Sequence, residues 1–427
     1  MSTFDTNFLF SRGKLAVALD GGAGSSGKGK LGSFICEHSD NWTFACNTFM
    51  PQAGHTVQLD GGRQFFYQTL NSCAYMPERY EKLYIGPGAT IELKAFWKEV
   101  EANGVPHNKL GISPLTSILL NTDRDYEHGV CDIDGVPITN PIAGGPLVSS
   151  GSTRHGCGAN RARRVLRHKQ AKYARDMPEL QEFLCDVPGE IMKRLDEGQA
   201  GLFEIAQGFQ LSFLLPHMFP HTTSRNCSIA AGLDDLMVPP YYVGNLVLNF
   251  RTYPIRIHDK VYEDKATRTP LTWEQVTERA WAHGTKCDLT KELLDSVGID
   301  MIDMASGPPY ADQHELTIAE LNARIGAEDV ISELTSVTKL PRRFFTFSRQ
   351  NLDEALRHNQ INGDVYLALN FANYVDHALT GFRGTSLEDV PSASPLHDWL
   401  SQNMAGYEHK LKFIGTGATT DDMIQLT

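Results

Sequence analysis

Short apolar runs alternate along the chain with stretches whose apolar residues recur every three or four positions. The runs at 15–20, 43–47, 64–70, 82–86, 202–206, 244–250, 364–369 and 410–414 predict strands. The stretches at 27–38, 90–103, 159–176, 178–196, 272–284, 316–326 and 349–357 predict helices. Alternation on this scale predicts an α/β fold: a large central, mostly parallel sheet covered by helices, with smaller subdomains. Residues 121–150 carry Asp, Gly and Pro throughout without a clear period, and read as a long surface loop or insertion. No internal repeat and no low-complexity tract interrupts the pattern. No apolar run approaches the 18 or so residues of a membrane span. Residues 1–14 lack a basic start followed by a long apolar core, so they read as a tail and not a signal peptide.

Composition narrows the classes of partner. The 427 residues are 41% hydrophobic and carry a net charge of −12, which argues against broad electrostatic binding to nucleic acid. The basic cluster Arg161, Arg163, Arg164 and Arg167 is therefore expected to serve a local anion. Eight cysteines are scattered without a C-x-x-C pair, which points to a reduced, cytoplasmic setting and no disulfide framework.

The chemistry begins at residues 16–32, AVALDGGAGSSGKGKLG. A strand, a glycine-rich loop, a lysine and a helix in that order let backbone N–H groups approach a phosphate, with a helix N-terminus and an ammonium beside it. Gly22 to Lys28 matches the P-loop spacing G-x-x-x-x-G-K, but Gly29 follows where a P-loop needs Ser or Thr for magnesium. The loop therefore suggests phosphate chemistry outside the ordinary P-loop class.

Five further stretches follow in order: QAGHTV at 52–57, IGPG at 85–88, GSTRHGCG at 151–158, EIAQG at 204–208 and GTGA at 415–418. Together with GSSGKGK at 24–30 they resemble the landmarks of the adenylosuccinate synthetase family, G-D-E-G-K-G-K, N-A-G-H-T-V, I-G-N-G, G-T-T-G-x-G-x-G, E-G-A-Q-G and G-T-G-P. The likeness spans nearly the whole chain, and implies one adenylosuccinate-synthetase-like, P-loop-related domain over 1–427. It also implies a ligase that joins L-aspartate to C6 of a purine nucleoside monophosphate through a 6-phosphoryl intermediate.

The resemblance assigns residues one by one. His55 would donate a hydrogen bond or proton to the 6-oxygen as charge develops there. Lys28 would neutralise the triphosphate, and Ser25 and Gln207 join these two as the catalytic set. Ser25, Gln52, Thr153, Arg167, Gln207 and Thr223 would hold the monophosphate, with Arg167 reaching across a homodimer to the neighbour's site. Gly24, Ser26, Gly27, Lys28, Gly29, Lys30, Gly54, His55, Thr56, Asn373, Gly415, Thr416 and Gly417 would line the triphosphate site. Mg²⁺ would take Ser25 and the carbonyl of Gly54. Residues 335–347 resemble the family's aspartate loop T-T-G-R-P-R-R, with Val337, Thr338 and Arg343 as its ligands; a guanidinium pairs bidentately with a carboxylate.

Departures from the family pattern bear on the substrate. The family's base, an Asp, falls on Ser25, whose shorter side chain would leave room for the 2-amino group of guanine. Leu340 replaces an arginine that contacts the ribose 2′-hydroxyl, a loss that costs little if the sugar is 2′-deoxy. Asn373 stands near the Asp that reads guanine in the donor, and its paired donor and acceptor suit adenine. Asp376 serves that role if the register is shifted. Pro87 and His155 also depart from the pattern. The three interpretable changes match a phage branch of the family that uses dGMP with ATP or dATP, which would place the protein in the host cytoplasm. Two alternatives stand beside this reading: an ordinary synthetase acting on IMP and GTP, and a nucleotide-binding regulator that has lost catalysis. His217 and His221 have a zinc-like spacing, but Pro216 and Pro220 disfavour the helix it needs.

Overall fold

The computed structural model describes residues 4–138, 153–257, 260–271, 273–281, 291–303, 306–325 and 342–426. Nine strands form the central sheet: β1 (Leu15–Asp20), β2 (Phe44–Asn47), β3 (Lys82–Ile85), β4 (Leu110–Ile112), β5 (Gly201–Glu204), β6 (Val243–Arg251), β7 (Val365–Asn370), β8 (Leu411–Gly415) and β9 (Met423–Gln425). Their order is β9–β8–β7–β6–β1–β5–β2–β3–β4. Every neighbouring pair is parallel except β8–β9. The sheet is therefore the mostly parallel one that the alternating pattern predicts.

All six residues of β1 are buried, as befits a parallel strand covered on both faces. Leu15, Val17 and Leu19 enter one core cluster while Ala16 and Ala18 enter the other. This two-residue alternation splits the interior into a layer on each side of the sheet. Helix α1 (Lys28–Glu37) follows β1 directly and packs Leu31, Phe34 and Ile35 into the second layer.

Several elements differ from the sequence-based expectation. The strand expected at 64–70 is Gln64–Tyr67, and it stands outside the central sheet, paired antiparallel with His55–Gln58. A turn at Asp60–Gly62 folds these two strands into a hairpin. The helix expected at 159–176 stops at Val165, as α3 (Cys157–Val165), and Arg167 adopts a φ of 52° that no α-helix continues through. The expected 178–196 divides at Asp186, whose side chain caps the helix Val187–Asp196 by accepting from the Gly189 N–H. Within the expected loop 121–150 lies a short helix, α2 (Asn121–Glu127), capped by Asp123, which accepts from the Leu120 N–H at 2.9 Å.

Two three-stranded antiparallel sheets form the smaller subdomain structure. One joins Ile255–Ile257, Arg342–Phe345 and Glu315–Leu316; the other joins Pro270–Leu271, Lys260–Asp264 and Ile299–Asp303. Among the described residues no helix is long and apolar enough to cross a membrane.

Candidate active site

The glycine loop leaves the C-terminal end of β1 and is pinned there by Asp20, which is fully buried. One carboxylate oxygen accepts from the Gly22 N–H at 2.7 Å. The other accepts from the Ser26 hydroxyl and from Lys28 Nζ, the latter at 3.3 Å. Lys28 also donates to the carbonyl of Gln207, so the ammonium ties the loop to the end of β5. Asn249 on β6 donates to both the carbonyl and the hydroxyl of Ser26, at 3.1 and 3.0 Å.

Gly29, the residue that breaks the P-loop pattern, sits where α1 meets the hairpin. A Cβ there would lie 2.5 Å from the Thr56 carbonyl oxygen and 2.9 Å from its nitrogen, against backbone that cannot swing aside. A hydroxyl-bearing side chain is excluded by packing. Gly208 is similar, since its Cβ would stand 2.2 Å from the carbonyl oxygen of Gly22. The EIAQG and GSSGKGK loops thus lie against each other, backbone on backbone.

One cleft, about 230 Å³ in volume, is lined by Ser25, Gly27, Lys28, Gly29, Gly54, His55, Thr56, Arg342 and Phe371. His55 opens the hairpin and rests its ring against Phe49, centroids 4.2 Å apart. Both of its ring nitrogens are buried without a hydrogen-bond partner. Burial first, and then the nearby Lys28 ammonium, hold its pKa well below the ordinary imidazole value, so the ring is neutral at pH 7.

Other polar atoms predicted to meet a ligand are also left open. Gln52 donates to the Thr223 hydroxyl at 3.3 Å while its own side-chain oxygen is buried and unpartnered. Gln207, at a φ of 67°, accepts from Arg225 Nε at 3.4 Å, and its amide nitrogen is likewise buried without a partner. Buried polar atoms are normally satisfied, so a group of open ones marks a place built for a polar ligand.

The remaining predicted residues divide between local engagement and exposure. Lys30 turns away from the cleft and donates to the carbonyls of Gly417 (2.9 Å) and Asp422, closing the chain's C-terminal loop over α1. Burial pushes its pKa down to about 7. Gly415 and Gly417 pack against Asn370 and Asp422, and the Thr416 hydroxyl donates to the Phe382 carbonyl. Asn373 lies in a short 3₁₀ turn just after β7 and is half-buried. Asp376, its competitor as purine reader, spends both oxygens locally, on the Ala378 N–H and the Ser394 hydroxyl. Thr153 is half-buried before α3. Val337, Thr338 and Leu340 lie outside the described residues.

The arginines bring the clearest differences from expectation. In the 161–167 cluster, Arg161 pairs with Asp235, Arg163 is buried against Asp123 at 3.1 Å, and Arg164 holds the carbonyls of Pro87 and Leu115. Three of the four therefore serve internal partners, and only Arg167 is exposed. Arg343 forms a bidentate pair with Glu315, at 2.8 and 2.6 Å, whereas its strand neighbour Arg342 lines the cleft. Successive residues of a strand face opposite ways, and register alone decides which arginine points inward. His155, a departure from the family pattern, meets Glu92 at 3.3 Å and Arg124 at 3.1 Å, and so belongs to a charged cluster beside α2. His217 faces Glu354 at 3.4 Å.

Sequence reasoning passed over Arg342, Phe371, Arg251 and Arg225. Arg225 is 4% exposed and joins Gln207 to Asp235. Arg342 stands in the aspartate-loop stretch beside the arginine chosen there, and the other three stand in no recognisable motif; Arg251 and Arg342 sit at strand ends, where they look like ordinary edge residues. A run such as NFANYVD signals chemistry only once its strand end is known to face the glycine loop.

No family model matches the chain. It is 29% identical over 245 residues to adenylosuccinate synthetase of Archaeoglobus fulgidus, covering 56% of this chain and 66% of the relative. The match thus spans just under two thirds of that protein's length. The N6-succino-2-amino-2′-deoxyadenylate synthase of Acinetobacter phage SH-Ab 15497 is 26% identical over 388 residues, covering 84% of each chain. Among solved structures, the cyanophage S-2L succinoaminodeoxyadenylate synthetase, bound to dGMP and dATP, superposes with a TM-score of 0.68 at 24% identity, covering 96% of this chain and 94% of its own. That superposition extends the shared fold across nearly all of both chains. In sequence the chain is similar to adenylosuccinate synthetases and to their phage counterparts, the N6-succino-2-amino-2′-deoxyadenylate synthases, and in fold it is similar to the cyanophage enzyme.

Proposed function

We propose that this protein is a C–N ligase that condenses L-aspartate with C6 of dGMP, using ATP or dATP, to give N6-succino-2-amino-2′-deoxyadenylate, the nucleoside diphosphate and phosphate. The observation that carries this reading is the cleft itself. His55, with both ring nitrogens buried and open, stands beside Lys28 while Ser25 occupies the position of the family's Asp. The length of the alignment with the phage synthase supports it.

In the first step the γ-phosphoryl group passes from donor to the 6-oxygen; the O–P bond to the diphosphate breaks, the new O6–P bond forms, and the N1 proton passes to an oxygen of the departing diphosphate. The neutral His55 ring donates its one N–H to the 6-oxygen, where charge grows. Lys28 and the N–H groups of Gly27 to Gly29 hold phosphate oxygens. In the second step the α-amino group of aspartate attacks C6 and phosphate leaves. Ser25 and the Gly54 carbonyl would offer two neutral, hard oxygens to a magnesium ion, which would supply charge neutralisation of the triphosphate.

Gln52, Gln207 and Thr223 take the monophosphate, and Arg342 stands at the aspartate side, with Arg343 held beside it by Glu315. Asn373 reads the donor purine, an assignment favoured by the engagement of both Asp376 oxygens. Arg167 reaches a neighbour's 5′-phosphate in a homodimer. The adjacent Val165 and Leu166, 71% and 65% exposed, give that surface apolar contact area.

The test is a panel of IMP, GMP and dGMP against ATP, dATP and GTP, with aspartate and Mg²⁺ present and products identified by mass. Turnover of dGMP with an adenine donor is expected. Turnover of IMP with GTP alone would return the protein to ordinary adenylosuccinate synthesis, and absence of any aspartate-dependent phosphate release would leave a binding protein.

A further inference from the structure

Arg251 ends β6 beneath the glycine loop and is 3% exposed. Its Nε donates to the Tyr253 carbonyl at 2.8 Å, which anchors one edge of the guanidinium. Its Nη1 donates to the carbonyl of Ser25 at 3.2 Å. One face lies against Phe371, 3.8 Å from guanidinium carbon to ring centre, with Tyr374 at 5.3 Å and Phe344 at 5.7 Å. Cation–π contact at that distance is attractive and strongest when shielded from water, as it is here.

Both residues that Arg251 joins adopt backbone conformations an L-residue rarely takes. Ser25 has φ 53° and Phe371 has φ 65°. Such conformations persist only where the surroundings over-determine them. At Phe371 the Thr252 hydroxyl holds the carbonyl at 2.6 Å. At Ser25 the hold is Arg251. Both residues also line the cleft, Ser25 beside the reacting purine and Phe371 at the end of β7, one turn from Asn373.

We infer that Arg251 is a positioning residue that couples the two nucleotide subsites: a donor purine settling at Phe371 fixes the guanidinium, which fixes Ser25 for the monophosphate. This rests on the assignment of the two subsites above. The coupling is reciprocal, because linkage requires each nucleotide to tighten the other by the same factor.

Calorimetry on the whole protein tests it. The affinity for dGMP is measured with and without saturating AMP-PNP, in the wild type and in Arg251→Met, Arg251→Lys and Phe371→Leu. In the wild type the donor analogue should tighten dGMP about tenfold. Arg251→Met should lose most of that gain while binding AMP-PNP alone within about threefold of wild type. Arg251→Lys, which keeps the charge but not the fork, should restore part of it. In turnover, Arg251→Met should raise the KM for dGMP more than it lowers kcat, a split that general loosening of the fold does not produce. Equal tightening in the wild type and Arg251→Met, or none in the wild type, overturns the inference. If Arg251→Met does not fold, Phe371→Leu decides alone: unchanged coupling there is equally fatal. If dGMP does not bind and IMP does, the substrate assignment fails, and the same cycle run with IMP still tests the coupling.

Discussion

Two sets of buried polar groups lie within a few residues of each other and are treated in opposite ways. Around α1, three charged groups are answered from inside the protein: Asp20 by Gly22, Ser26 and Lys28; Lys30 by the Gly417 and Asp422 carbonyls; Glu204 by Asn71 and Ser72. By contrast, the ring nitrogens of His55, the oxygen of Gln52 and the amide nitrogen of Gln207 are buried and unanswered. An open buried polar atom costs about 1–3 kcal/mol, so a fold keeps several together only where something else meets them. On the proposed function, the answered set is scaffold and the open set is site. Motif matching alone does not separate them, since Glu204, which is answered, and Gln207, which is open, sit three residues apart in the same EIAQG stretch.

The sharpest way to break this division is His55→Asn. Activity should fall at least a hundredfold in kcat, as expected for loss of a group acting at the reacting oxygen, while the thermal midpoint stays within a few degrees of wild type. A large drop in stability would move His55 into the scaffold. Glu204→Leu should do the reverse: it leaves the Asn71 amide and the Ser72 N–H and hydroxyl buried without their acceptor, costing about 2–3 kcal/mol in urea unfolding. Turnover per folded molecule should change little.

Ser25→Asp sharpens the substrate side. A carboxylate there crowds the 2-amino group of guanine, so kcat/KM for dGMP should drop about tenfold, read against IMP in the same assay. Unchanged dGMP kinetics would remove the steric argument.

Two pH measurements probe the contrast more finely. His55 is held neutral, its pKa pushed well below 6.5, so kcat/KM should show no limb from this ring between pH 6 and 8. An imidazolium acting as acid would give a falling limb there. For stability, Lys30 in the folded state binds its proton more weakly than in the unfolded state, about 7 against 10.5. The unfolded chain therefore holds more protons between those values, and this group makes stability rise with pH across pH 7–10. Lys30→Met should flatten that slope. The smallest effect is expected at Glu92, whose carboxyl is held at about 2 by the hydrogen bond from His155 and then by Arg124. Its contribution, about 1 kcal/mol, is present above its unfolded value near 4.5 and fades as pH falls through 2, so Glu92→Gln should destabilise at pH 7 and progressively less below 4.5.

Much of the fold was legible because parallel strands covered on both faces must be continuously apolar, and β1, β2, β5, β6 and β7 read that way. The hairpin that opens on His55 was not legible: its residues HTVQ and QFFY mix polar and apolar positions, and nothing local says they leave the central sheet. The end of α3 carries no Gly or Pro, so only the backbone turn at Arg167 reveals it. Within the site, the motifs placed Ser25, Lys28, Gly54, His55 and Thr56 in one cleft by family likeness, and the fold gathers them there. Arg251 and Phe371 had no motif to announce them, being brought to the glycine loop from 226 and 346 residues away, as the arithmetic of their numbers against Ser25 shows.

By itself the sequence determined the α/β class, the glycine loop, the likeness to the adenylosuccinate synthetases and the puzzle of Ser25, because strand burial and phosphate-loop spacing are written in contiguous residues. Tertiary structure alone decided which charges are spent. It turned Lys30 toward the C-terminal loop, set Arg343 on Glu315 and Arg342 in the cleft, and left His55 open, because partners for buried polar groups come from distant strands and only packing selects them. It also decided why residue 29 is glycine: the Thr56 backbone stands where any side chain would have to go.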